Sequence, residues 1–114
     1  VTITGTLTNA ANKFRIRMRG ICGNTSATYT FFTLFRDAVD LTPAAVNCLS
    51  GLQEHSTVDV GSPNFEFEDS PGDTSAHTYR LYWKAGGGTS YLGRDATGTT
   101  IDAPTILTLE EISA

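Results

Sequence analysis

The sequence is poor in charge, in helix formers and in reactive groups. Only 18% of its residues are charged, against about 25% in an average soluble domain. Eight Lys and Arg face twelve Asp and Glu, for a net charge of −4, which argues against a globally basic nucleic-acid binder. Two lysines, one methionine and five glutamates leave little from which to build helices. No apolar run approaches the ~20 residues of a membrane-spanning helix, so no membrane insertion is expected. The two cysteines, Cys22 and Cys48, show no Cys-x-x-Cys spacing and no neighbouring His pair, which leaves a zinc site without support. They read as two separate buried thiols, with a disulfide as the alternative. His55 and His77 stand in no catalytic motif, and Gly-x-Ser-x-Gly is missing. Gly86-Gly87-Gly88 lacks the Lys-Ser/Thr of a phosphate loop and reads as a hairpin tip. No catalytic residue, metal or cofactor is therefore expected, and no enzymatic activity.

What is present is β-forming. Eleven Gly, four Pro and abundant Thr and aromatics suit pleated strands and tight turns. At 114 residues the chain reads as a single domain spanning residues 1–114. Scaling laws give it roughly 6,000 Å² of folded surface against roughly 18,000 Å² unfolded, enough burial for one core. Val1 in place of an initiator Met fits either a processed terminus or a segment of a longer chain.

Alternation places the strands. Val1 to Thr8 reads as an edge strand. Lys13 to Cys22 sets Phe14, Ile16 and Met18 on one face and Arg15, Arg17 and Arg19 on the other. Thr28 to Arg36 is apolar on both faces, with Tyr29, Phe31 and Phe35 opposite Phe32 and Leu34. A strand of that kind lies between two layers or at a subunit contact. Asp37 to Asp40 reads as a turn, Ala44 to Leu52 as a helical turn or irregular strand, and Glu54 to Pro63 as a loop with a short strand near Val58. Asn64 to Asp69 points Phe65 and Phe67 inward. His77 to Lys84 places Tyr79, Leu81 and Trp83 on one face, and Thr89 to Arg94 reads as its hairpin partner. Thr105 to Ile112 is the last strand. About eight short strands without a helix make an all-β chain, an antiparallel β-sandwich that is jelly-roll-like.

Three sets of residues could carry function. Glu66 and Glu68 sit roughly 6.5–7 Å apart along one strand, a spacing that overlaps glycoside hydrolysis. Both project from the same strand rather than across a cleft, so they read as a solvated acidic edge. The Arg15, Arg17 and Arg19 stripe reads as pairing with Glu66 and Glu68 or as a subunit contact, together with the surplus apolar Phe32 and Leu34. Arg80, Tyr82, Tyr91 and Arg94 form an aromatic and arginine set suited to a protein partner or to sugar stacking. Asn24-Thr25-Ser26 matches the N-glycosylation pattern and reads as coincidence.

The C-terminal half carries a resemblance. Thr78 to Lys84 (TYRLYWK), Tyr91 to Arg94 (YLGR), a Thr/Gly/Asp loop and the terminal TILTLEEI, with FFTLFRDAVDLT upstream, resemble a β-domain of bacteriophage virion proteins. That domain recurs at the ends of tail fibres and other surface appendages, including those of marine and cyanobacterial phages. The resemblance implies a jelly-roll-like homotrimer on the virion surface, in contact with other virion proteins. Its implied role is host attachment, through a surface glycan or protein, or capsid decoration. The family brings no shared catalytic residues. The alternative reading is a monomeric carbohydrate-binding module of a secreted protein.

Overall fold

The computed structural model describes residues 1–56, 59–98 and 101–114. Among them the chain forms ten strands and no helix: β1 (Thr2–Thr6), β2 (Lys13–Arg19), β3 (Cys22–Asn24), β4 (Tyr29–Arg36), β5 (Val39–Asp40), β6 (Ser50–Gln53), β7 (Phe65–Asp69), β8 (Ala76–Ala85), β9 (Ser90–Leu92) and β10 (Ile106–Ile112). All pair antiparallel. β1, β8, β4 and β5 run side by side in a five-stranded sheet, with β6 pairing β4 beside β5. β10, β2 and β7 form a second sheet, and β3 and β9 a two-stranded third. The expected all-β sandwich is the observed one. Two of its strands, β5 and β6, come from segments read as a turn and as an ambiguous stretch. The expected strand near Val58 lies outside the described residues.

Period-two alternation builds the core. Phe14, Ile16 and Met18 from β2 face Phe32 and Leu34 from β4 and Tyr79 and Leu81 from β8, with Leu7 and Cys22 completing the buried set. The molecule measures 46 × 29 × 20 Å. Its short dimension holds two sheets about 10 Å apart, and therefore one layer of core side chains. The radius of gyration is 15.2 Å, against about 13 Å for a compact domain of this length. The accessible surface is 6108 Å², which matches the roughly 6,000 Å² expected of a folded chain of this length.

Two polar devices fix the sheets. On the outer face of the three-stranded sheet, the register sets Arg15 between Glu68 and Glu110, and Arg17 opposite Glu66. Arg15 reaches Glu68 at 2.9 Å and Glu66 at 3.3 Å, and Arg17 reaches Glu66 at 2.6 Å and Glu110 at 3.1 Å. The second device is internal. Asp69, at the end of β7, is 8% exposed. It accepts a 2.7 Å bond from the Tyr79 hydroxyl and 2.8 and 2.9 Å bonds from Arg36 Nη1. One carboxylate thus ties β7 to β4 and β8 across the sandwich. Phe14 meets the Tyr79 ring edge-on at 5.6 Å beside it.

Several expectations are corrected. Phe32 and Leu34 are not subunit contacts: both are 0% exposed and sit in the core. β9 is not a hairpin partner of β8 but pairs with β3, Cys22 opposite Leu92 and Asn24 opposite Ser90. The buried Asn24 amide makes that crossing, donating to Ser90 Oγ at 2.8 Å and to the Gly87 carbonyl at 3.2 Å. The same burial takes the Asn24 sequon out of reach. Gly23 belongs to this crossing too. A Cβ there would stand 2.7 Å from the Ala96 backbone nitrogen, so only glycine allows the approach. Trp83 shares its side of β8 with Leu81 but is 40% exposed, lying beyond the end of the core. Cys22 is buried and Cys48 half-buried, both as free thiols.

Candidate binding surface

The outer face of the five-stranded sheet is aromatic because β4 is apolar on both sides. Its inner side chains fill the core, and Tyr29, Phe31 and Phe35 are left on the other face. The register of β4 on β8 puts Lys84 opposite Phe31, Tyr82 opposite Thr33 and Arg80 opposite Phe35. Tyr82 leans over Phe35, ring centres 4.7 Å apart, and Tyr29 stacks along Phe31 at 6.1 Å. Tyr29 and Tyr82 are about half exposed, at 50% and 48%. Between β4, β8 and the segment holding Asn47 and Cys48 lies an open groove of about 380 Å³, whose lining includes Phe31, Tyr82, Trp83 and Lys84. An apolar floor with an ammonium and a carboxamide at its rim suits a ligand that is partly flat and partly polar.

The set Arg80, Tyr82, Tyr91 and Arg94 is divided by the fold. Arg80 and Tyr82 belong to this face. Tyr91 lies on β9 in the two-stranded sheet, where the Arg94 guanidinium stacks 4.0 Å above its ring. The Arg94 backbone forms an isolated β-bridge with Asp102, and its guanidinium lies over the space a side chain at Gly98 would take. Arg15 and Arg17 are engaged with glutamates of their own sheet. Arg19, at the exposed end of β2, borders a groove of about 220 Å³ with Arg17, Ile106 and Thr108.

Two titratable sites escaped sequence reasoning. His77 has carboxylates at both ring nitrogens: Asp37 Oδ2 lies 2.8 Å from Nδ1 and Asp73 Oδ1 lies 3.1 Å from Nε2. Neither nitrogen is left for a serine or cysteine nucleophile. The ion pair with Asp37 chiefly raises the basicity of His77 above its ordinary value. Asp37 is held below the usual carboxylate range first by that contact and then by the Thr78 amide. Glu54 is the second. It is 2% exposed, and neither carboxylate oxygen has a hydrogen-bond partner among the described residues. Burial pushes its pKa up, and the neighbouring Cys22 thiol offsets this only in part. Burial also pushes the Cys22 thiol up, to about 12. Spacing gave no signal for either site, since Asp37 and His77 are brought together by the pairing of β4 with β8. Among the described residues no group of three His, Cys, Asp or Glu is placed to hold a metal ion. No protein-family model matches the chain, and no curated protein or solved structure matches it either.

Proposed function

We propose that this chain is a non-enzymatic surface domain of a phage virion. It works as a homotrimer that attaches the particle to a host surface or reinforces its shell. The observation that carries the reading is the uncovered aromatic face of β4 and β8. On that face Tyr29 and Tyr82 are each about half exposed, beside Phe31 and Phe35. Burying this aromatic face against further copies is favourable, because exposed apolar surface marks interaction sites. The likeness of TYRLYWK, YLGR and TILTLEEI to phage appendage domains supplies the virion context.

The test is the solution mass of the chain by light scattering, for the wild type and for Tyr82→Glu. Tyr82 is half exposed, so the variant keeps its core. The expected wild-type mass is three times 12.2 kDa, stable on dilution, falling to one chain in the variant. A wild-type monomer refutes the free homotrimer.

The groove beside Tyr82 favours a second reading, a monomeric carbohydrate-binding module. Tyr82 offers a ring face, and Lys84 and Asn47 offer hydrogen bonds at the rim. A monomer that binds in a glycan screen and loses binding with Tyr82→Ala supports this reading over the first.

A further inference from the structure

We propose that His77 is a pH-dependent clasp: its imidazolium ties the loop between β7 and β8 to the turn between β4 and β5, and loss of the proton frees that loop at Asp73. The inference is independent of what the aromatic face binds.

The geometry requires the proton. An ionised carboxylate only accepts hydrogen bonds, so a ring with carboxylates 2.8 Å from Nδ1 and 3.1 Å from Nε2 must donate from both nitrogens. Only the imidazolium does so. The His77 side chain is 12% exposed, which limits how far water can replace either partner. Asp73 is kept ionised first by the Ser75 amide, at 2.6 Å, next by the Ser75 hydroxyl and then by His77. The remaining surroundings are few. β1 places Gly5 opposite His77, flanked by Thr4 and Thr6, and so contributes no charge. β4 contributes Arg36, whose guanidinium is engaged by Asp69. β8 contributes Arg80, which reaches the Asp37 carbonyl at 3.4 Å. The two carboxylates outweigh these cations and the partial burial.

The two halves of the clasp are unequal. Asp37 is tied to Thr78 twice, its amide donating to the Thr78 carbonyl at 2.8 Å and its Oδ1 accepting from the Thr78 amide at 2.9 Å. It occupies the left-handed region at φ 54°, which Asp tolerates. Asp73 has only the local Ser75 bond, in a Ser70-Pro71-Gly72-Asp73 turn whose glycine has φ 82°. A neutral ring therefore keeps its hydrogen on Nδ1 toward Asp37. The bare Nε2 then faces a carboxylate, and the loop bearing Asp73 moves away.

The sign follows from linkage. A group of raised basicity stabilises the clasped form fully below its ordinary value of 6.5, and that stabilisation is lost as pH climbs through the higher folded value. Asp37 and Asp73 are lowered from 3.8, so the acid limit lies below that value. The clasp holds in mildly acidic solution and opens on the alkaline side.

The test is an NMR titration of the imidazole nitrogens in the intact chain, with His55→Gln for assignment, alongside amide exchange of residues 72–75. The expected result is a His77 midpoint above 6.5, an Nδ1–H tautomer in the neutral ring, and loss of loop protection in step with the ring beyond intrinsic base catalysis. Asp73→Asn and Asp37→Asn should both lower the midpoint, and Asp73→Asn should remove the pH step in protection. Asparagine keeps the backbone-accepting oxygen at both positions, so the turns are retained. A midpoint at or below 6.5, or loop protection that ignores the ring's titration, overturns the proposal.

Discussion

Asp69→Ala removes a carboxylate that spans the sandwich. In the wild type that group satisfies a Tyr79 hydroxyl on a residue with no exposed surface and an Arg36 guanidinium whose side chain is 21% exposed. Deleting it strands a buried hydroxyl and a partly buried cation together. Removing one partner of a buried pair costs about 3–5 kcal/mol. At roughly 2.1 cal/mol/K per residue, the lower figure is a fall of about 12 °C in Tm for a chain of this length. Tyr79→Phe removes a single bond to the same carboxylate and leaves the Arg36 pair, for about 1.5–3 kcal/mol. Urea unfolding followed by tryptophan fluorescence reads both, at two protein concentrations so that self-association is separated from folding. The double variant should lose less than the sum of the singles, because the two changes share one bond. An Asp69→Ala cost below about 1 kcal/mol would refute the inter-sheet tie, since a buried unpaired partner alone exceeds that.

Three further outcomes follow from burial. Glu54 pays a pH-dependent cost: raised above its ordinary 4.5, it destabilises the fold increasingly as pH rises through its folded value, so Glu54→Gln should gain stability over wild type at pH 7 and lose that gain at pH 4, in denaturant melts at both. A thiol reagent should modify Cys48 rapidly in the native protein and reach Cys22 only on unfolding, counted by mass spectrometry. Phe32→Ala should cost about 3–5 kcal/mol as a core truncation, whereas Phe31→Ala, on the outer face, should cost well under half of that in thermal melts.

Sequence legibility followed the number of layers above a strand. Phe14, Ile16 and Met18 were legible as core, and Arg15 and Arg17 as partners of Glu66 and Glu68. β2 and β7 each have one buried and one open face, and strict alternation reports that directly. β4 was legible as a strand but not in orientation: five apolar side chains over two faces do not say which face is covered. The pattern alone fits Phe32 and Leu34 at a subunit contact as well as in the core, while in the fold Phe31, Phe35 and Tyr29 take the outer face. Trp83 kept the parity of Leu81, but parity carries no information about where a core ends.

The longer alternating strands, the all-β class and the face of each one-sided strand were determined by the sequence alone, because period two and turn chemistry are local, whereas the short β5 and β6 were not. Partner choice and site assembly were decided only by tertiary structure. Thr89 to Arg94 follows a glycine turn and looks like a hairpin return to β8, yet the buried Asn24 amide and the Gly23 approach send it to β3. The same holds for His77 with Asp37, for Asp69 with Arg36, and for the aromatic groove of β4 and β8. In each, the partners lie on different elements far apart in the chain, and long-range pairing energy rather than local preference brings them into contact.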